Sequence, residues 1–126
     1  MTVRRGGILP YSTQSIGEDD VRAVARVLRS DWLTQGPAVE EFERRFARVA
    51  GAKHAVALSS GTAALHAACV AAGLGPGDEA VVPPLTFVAS ANAVLYAGAR
   101  PVFADVEPET GLLDPQAFLA RTTRRT

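Results

Sequence analysis

The turn at residues 59–62 is the segment of this sequence whose residue types best fit ligand chemistry. Ser59-Ser60-Gly61-Thr62 follows a short apolar run and precedes an apolar helical segment. A helix N-terminus leaves backbone N–H groups without partners, and its dipole favours an anion such as a phosphate. Gly61 lets the backbone approach a ligand, and the Ser60 and Thr62 hydroxyls add donors. Since Ser and Thr also cap helices, the turn alone predicts capping and phosphate binding about equally.

This turn differs from the common nucleotide-binding loops. No lysine follows Gly61, as a P-loop requires, and the Gly-x-Gly-x-x-Gly pattern of dinucleotide sites is absent. If an anion binds here, the sequence therefore predicts another kind of phosphate site.

Two aromatic residues are candidates for ligand contacts. Phe87 follows a predicted strand at the sheet edge that also carries the 59–62 turn, and parallel sheets bind ligands at that edge. Its ring could stack on a flat ligand, or it could be a core residue that opens a helix. Trp32 lies in a polar loop with Asp31 and Thr34, where a ligand or partner contact and packing under the next helix are both open.

The remaining reactive side chains are few. Lys53 is the only lysine beside twelve arginines, so chemistry that needs an amine side chain must use it or be absent. His54 and His66 have no partners at metal-ligand spacing and are interpreted as structural. Cys69 is the only cysteine, which excludes an internal disulfide and fits a buried apolar role in a reducing compartment.

Apolar periodicity predicts two helices before this region. The first spans 18–29, with Ser15 and Glu18 spaced as a capping box. The second begins at Pro37 and ends at Gly51, a residue suited to a left-handed stop.

The rest of the chain alternates strands and helices. Such alternation favours an α/β fold of parallel strands with right-handed helical crossovers and a sheet covered on both faces. The predicted strands are 55–58, 79–82 and 101–104, and the predicted helices are 63–72, 87–96 and 115–121. The helix at 63–72 is apolar nearly all round, so burial on most sides is expected. Three strands are few for such a sheet, so we expect the chain to stop in mid-domain, with frayed residues after Arg121.

Composition excludes several classes of protein. The 126 residues are 48% hydrophobic, and 13 basic residues balance 13 acidic ones, so neither disorder nor nucleic-acid binding is indicated. No apolar run is long enough to span a bilayer, and the first residues lack a secretory signal. A cytoplasmic location is expected.

Several motifs together resemble one known family. Residues 59–66, 77–79, 84–93 and 101–106 resemble, in order and spacing, the opening of the DegT/DnrJ/StrS sugar aminotransferases of fold type I, and 30–37 resemble it too. The similarity runs from about Leu9 to Pro115. Within the family, Tyr11-Ser12 and Leu33-Thr34-Gln35-Gly36 are most similar to the transaminases that make the diamino-sugar precursor of pseudaminic acid.

The resemblance implies a function and a set of site residues. It implies an extended arm at 1–14, and at 15–126 the N-terminal part of the large domain of a pyridoxal-phosphate transferase with an incomplete sheet. The whole enzyme would be a homodimer that transfers an amino group, with glutamate as donor, to a nucleotide-linked keto-sugar. Residues implied for the cofactor are Ser60, Gly61, Thr62 and Phe87, and those implied for the nucleotide-sugar are Tyr11, Asp31, Trp32, Leu33 and Thr34.

One departure from the family matters for catalysis. The lysine that holds the cofactor as a Schiff base, and the acidic partner of the pyridinium nitrogen, come later in the family than this chain extends. Lys53 lies before the strand at 55–58, about five residues at ~3.3 Å each from the turn, so it cannot replace that lysine. No catalytic or metal-binding residue is therefore predicted, and the chain alone is expected to be inactive and to bind pyridoxal phosphate weakly or not at all. Two alternatives stay open: a lysine-free sugar dehydratase on the same scaffold, and a non-catalytic phosphate-binding or interaction module.

Overall fold

A computed structural model describes residues 12–126 of the chain. The chain divides between Ala55 and Val56 into two compact units. Among the described residues, no helix combines the length and apolar character needed to cross a membrane.

The first unit contains α1 (Glu18–Leu28) and α2 (Pro37–Val49). The predicted capping box at Ser15 is wrong, because α1 is capped at Gly17. The Gly17 N–H donates to the Asp20 carboxylate at 2.8 Å. Asp20 thus fills the acidic position of a capping box, three residues after the N-cap. The predicted start of α2 at Pro37 is confirmed, and so is the left-handed stop at Gly51, whose φ is +65°.

The second unit contains a two-stranded parallel sheet with three helices. In chain order its elements are α3 (Gly61–Ala71), β1 (Glu79–Val82), α4 (Ala89–Tyr96), β2 (Arg100–Phe103) and α5 (Pro115–Arg121). Glu79 lies opposite Arg100 and Val82 opposite Phe103. The predicted α/β class with parallel strands and a helical crossover is confirmed, and the sheet is incomplete as expected.

The core of the second unit lies between α4 and the sheet. Ala89 and Ala93 are almost fully buried, because small side chains let the helix approach the strands closely. Val94 is 3% exposed and packs with Val82 and Ala99. On its other side α4 packs against α3, where the rings of His66 and Tyr96 meet edge to face at 5.6 Å.

Two sequence predictions fail for the same physical reason. Residues 55–58 form no strand, and the sheet of the described residues consists of β1 and β2. The apolar helix α3 has no buried residue, since its main packing partner is α4 and side chains such as Leu65 and Val70 stay exposed. Local apolar character indicated burial, but the neighbours required for it are not among residues 12–126.

The segment after Arg121 is held in place rather than frayed, contrary to the prediction. The Glu79 N–H donates to the Arg125 carbonyl at 2.8 Å, and the Thr123 hydroxyl donates to the Glu79 carboxylate at 2.9 Å. Arg100 donates to the same carboxylate, which is 5% exposed. Glu79 therefore joins the start of β1, the start of β2 and residues 123–125.

This carboxylate should make stability depend on pH. The hydrogen bond from Arg100, followed by that from Thr123, lowers the pKa of Glu79 below its ordinary 4.5. A lowered folded-state pKa gives stability that is present above the unfolded value and is lost as pH falls through the folded value. We expect the free energy of unfolding to fall below about pH 4.5.

Comparison with Glu79→Gln isolates this contribution from that of other carboxylates. The variant should be less stable than the wild type at pH 7, and the difference should shrink as the pH is lowered. Denaturant unfolding at pH 3 to 7 measures both proteins. A stability difference that is constant across this range would show that Glu79 does not titrate with folding.

Candidate functional site

The N-terminus of α3 presents backbone donors to the surface. The Ser60 side chain accepts from the Ala63 N–H at 3.1 Å, and the Ser60 carbonyl accepts from the Ala64 N–H at 3.0 Å. Among residues 12–126, the N–H groups of Gly61 and Thr62 have no hydrogen-bond acceptor. The Ser60 hydroxyl thus caps the helix, while two amides beside it remain able to bind an anion.

These amides lie at a cavity that also contains Phe87. The cavity has a volume of about 520 Å³ and is lined by Gly61, Thr62, Ala64, Leu65, Phe87 and Ala89. A Cβ atom at Gly61 would meet nothing within 4 Å, so the glycine faces open space. Three of the four predicted cofactor residues therefore line one cavity, and the fourth, Ser60, precedes Gly61 in the chain.

Phe87 is a surface residue of this cavity. Its exposed fraction is 72% in the described residues, so none of the described elements buries its ring. An exposed aromatic face beside two free amides can hold a ligand that joins a flat ring to an anionic group.

The predicted substrate residues of the loop between α1 and α2 belong to the first unit. Trp32 and Leu33 are 61% and 66% exposed. The Ser30 hydroxyl fixes this loop by donating to the Val27 carbonyl at 2.7 Å and accepting from the Trp32 N–H at 3.3 Å. Asp31 and Thr34 lie in the same exposed loop. Tyr11, the fifth predicted substrate residue, lies outside the described residues.

Two backbone features of this loop could not be predicted from the residue types alone. Gln35 has a φ of +52°, a left-handed conformation that is uncommon outside glycine and often found at functional sites. A Cβ atom at Gly36 would lie 2.5 Å from the Trp32 Cβ, so the turn closes tightly on the tryptophan. The motif Leu33-Thr34-Gln35-Gly36 was the only sequence signal for this geometry.

Gly36→Ala should therefore displace Trp32. Because the clash involves a Cβ rather than a flexible side-chain end, we expect a cost of about 1–3 kcal/mol in the free energy of unfolding. Gly17→Ala is the matched control, since Gly17 also caps a helix from an extended conformation and its nearest contact is an ordinary 3.8 Å. Emission from Trp32, the only tryptophan, reports the loop directly. Equal stability and equal emission for both variants would refute the close approach.

The remaining candidate side chains have local roles. Lys53 and His54 line an open polar groove of about 290 Å³ in the first unit, together with Glu40 and Arg44. His66 packs on Tyr96. In the described part of the chain, no cluster of three or more His, Cys, Asp or Glu residues could hold a metal ion.

Comparison with known proteins assigns the chain to a family. Residues 14–126 match the DegT/DnrJ/EryC1/StrS aminotransferase family. The chain belongs to this family. The resemblance noted from the sequence motifs is thereby confirmed at family level.

Individual proteins align with nearly the whole of this chain. The spore coat polysaccharide biosynthesis protein SpsC of Bacillus subtilis is 48% identical over 126 residues, which are 100% of this chain and 32% of that protein. An aminotransferase from Psychrobacter cryohalolentis is 40% identical with a TM-score of 0.82, covering 93% of this chain and 30% of its own. A putative sugar aminotransferase from Streptococcus pneumoniae, in its PLP form, is 36% identical with a TM-score of 0.84. The match covers 94% of this chain and 30% of that protein.

Two further facts concern these relatives. The chain spans about a third of the length of the relatives it matches. The Streptococcus pneumoniae protein has also been solved in PMP and apo forms, which supports pyridoxal phosphate as the cofactor of this family of sugar aminotransferases.

Proposed function

We propose that this chain is the N-terminal segment of a pyridoxal-phosphate-dependent aminotransferase that converts a nucleotide-linked keto-sugar to an amino-sugar. The observation that carries the proposal is the cavity shared by Gly61, Thr62 and Phe87 in a member of an aminotransferase family. Residues 15–126 would form the N-terminal part of the large domain, and 1–14 an extended arm.

The cavity fits the cofactor in three respects. The free N–H groups of Gly61 and Thr62, at the positive end of the α3 dipole, would hold its phosphate. The open space at Gly61 leaves room for the phosphate oxygens. The exposed ring of Phe87 would stack on the pyridine ring. When bound, the cofactor supplies an electron sink for loss of a proton at the carbon that carries the amino group.

The substrate side of the proposal is built on the loop between α1 and α2. Its exposed residues Asp31, Trp32, Leu33 and Thr34, with Tyr11, would contact the nucleotide-sugar. Glutamate is proposed as the amino donor, a cytoplasmic homodimer as the working form, and the precursor of pseudaminic acid as the product.

The chain by itself is proposed to be inactive. Its one lysine, Lys53, lies in an open polar groove of the first unit, lined by charged side chains. The exposed apolar side chains on α1, α2 and α3 support the idea that further protein covers them in the working enzyme. We therefore propose that the covalent lysine is supplied by sequence that follows Thr126.

The test is to read the coding DNA downstream of Thr126 and to assay the longest protein that it encodes. We expect a lysine-containing continuation, and transfer of the amino group from glutamate to a nucleotide-linked keto-sugar only in the longer protein. The 126-residue chain should give no product, and borohydride should trap no adduct at equimolar pyridoxal phosphate. Turnover by the 126-residue chain, or a stoichiometric adduct at Lys53, would refute the assignment.

A further inference from the structure

The segment that carries Phe87 is tied to the first turn of α4 through Ser90. The Ser90 N–H donates to the Phe87 carbonyl at 3.0 Å, and the Ser90 and Thr86 hydroxyls form a hydrogen bond at 3.0 Å. Val88, at the N-cap of α4, contributes no side-chain cap. Ser90 therefore holds both Phe87 and the residue before it.

The helix that carries Ser90 is itself firmly placed. Ala89, Ala93 and Val94 are 4%, 2% and 3% exposed, so the buried face of α4 is packed against the sheet. On the other side of the segment, the Leu85 Cδ2 atom would lie 3.4 Å from a Cβ at Gly111, which is ordinary packing distance. A hydrogen bond to Ser90 therefore connects the segment of Phe87 to the packed core of the second unit.

The position of the Phe87 ring depends on these hydrogen bonds because side-chain packing alone does not fix it. At 72% exposure the ring has few neighbours, so its position depends on the backbone that presents it. We propose that Thr86 and Ser90 are positioning residues, whose hydroxyl pair fixes Phe87 at the cavity lined by Gly61 and Thr62. The part of this inference that concerns the cofactor rests on the proposed function.

The inference can be tested without any ligand. In wild-type chain the backbone order parameter of Phe87, from ¹⁵N relaxation, should be near that of rigid backbone, about 0.85. Thr86→Val removes the hydroxyl at nearly constant volume and should lower the order parameter of Phe87 to the flexible range, below about 0.6. Ser90→Ala should have the same effect. Thr86→Ser keeps the hydroxyl and should restore the wild-type value. The order parameter of Ala93 should stay unchanged in all variants, which separates a local effect from loss of folding.

A second measurement links the tie to the ligand. Affinity for pyridoxamine phosphate should fall about 5-fold in Thr86→Val, in line with the loss of one neutral hydrogen bond, and should be retained in Thr86→Ser. The double variant with Ser90→Ala should lose little more, because both changes remove the same bond.

The possible failures are distinguishable. Unchanged order at Phe87 in Thr86→Val and Ser90→Ala would overturn the positioning role, whatever the ligand result. Lowered order with unchanged affinity would overturn the link between positioning and the cofactor. Wild-type chain with rigid Phe87 that binds no pyridoxamine phosphate would refute the proposed function, while the relaxation data would support the role of Thr86 and Ser90.

Discussion

Replacing Gly61 with Asp should abolish binding of the cofactor phosphate while the chain folds as well as before. The space around Gly61 is open, since a Cβ there meets nothing within 4 Å. An acidic side chain in the first turn of α3 interacts favourably with the helix dipole, by about 0.3–1 kcal/mol. The same carboxylate would occupy and repel the proposed phosphate position. Repulsion of about 4 kcal/mol between unit charges at ~4 Å near a protein surface predicts a loss of roughly 100-fold or more.

The matched control is Gly61→Ala, which adds a methyl group to the same open space without a charge. It should keep most of the affinity, so the difference between the two variants measures the charge alone. Titration with pyridoxamine phosphate, together with denaturant unfolding, gives affinity and stability for each protein. If Gly61→Asp binds the phosphate compound as tightly as Gly61→Ala, the anion does not lie at this helix N-terminus.

The second large effect is expected from Val94→Asp. Val94 is 3% exposed and belongs to the apolar cluster with Val82 and Ala99. An aspartate there would be a buried charge without a partner, which costs about 3–5 kcal/mol, a large part of the 5–15 kcal/mol that stabilises a typical domain. We expect the second unit to be mostly unfolded at neutral pH.

Leu95→Asp provides the comparison for this change. Leu95 is the next residue of the same helix but is 54% exposed, so its replacement should alter stability by less than about 0.5 kcal/mol. Far-ultraviolet circular dichroism during denaturation measures both variants. Equal stabilities would mean that α4 does not use this face to contact the sheet.

Elements with strong local signals were predicted well from the sequence. The bounds of β1 agree with the prediction at Glu79–Val82, and α5 begins at Pro115 after Asp114, whose carboxylate accepts from the Gln116 N–H at 2.8 Å. The cap of α5 depends on residues close in sequence, and β1 pairs with the next strand along the chain. The helix cap at Ser60 was equally local, since its side chain accepts from the Ala63 N–H three residues later.

Features that depend on distant residues were missed. Residues 55–58 are apolar enough for a strand, but the sheet of the described residues consists of β1 and β2. The bond between Glu79 and Thr123 joins residues 44 positions apart, which no periodic pattern reveals. The isolated antiparallel bridge between Val106 and Leu113 also arises from the folded loop after β2. For the candidate site, the sequence predicted that Phe87 and the 59–62 turn share one sheet edge, and in the structure Gly61 and Phe87 line one cavity.

The most direct test of the central claim is a comparison of pyridoxamine phosphate with pyridoxamine on the ¹⁵N-labelled chain. Neither compound has an aldehyde, so neither can react with Lys53. The phosphate compound, at millimolar concentration, should shift the backbone amide resonances of Gly61 and Thr62 and the ring resonances of Phe87, and pyridoxamine should leave the two amides unmoved. If the amides of Gly61 and Thr62 do not respond, or respond equally to both compounds, the account of this cavity as a cofactor-phosphate site is contradicted.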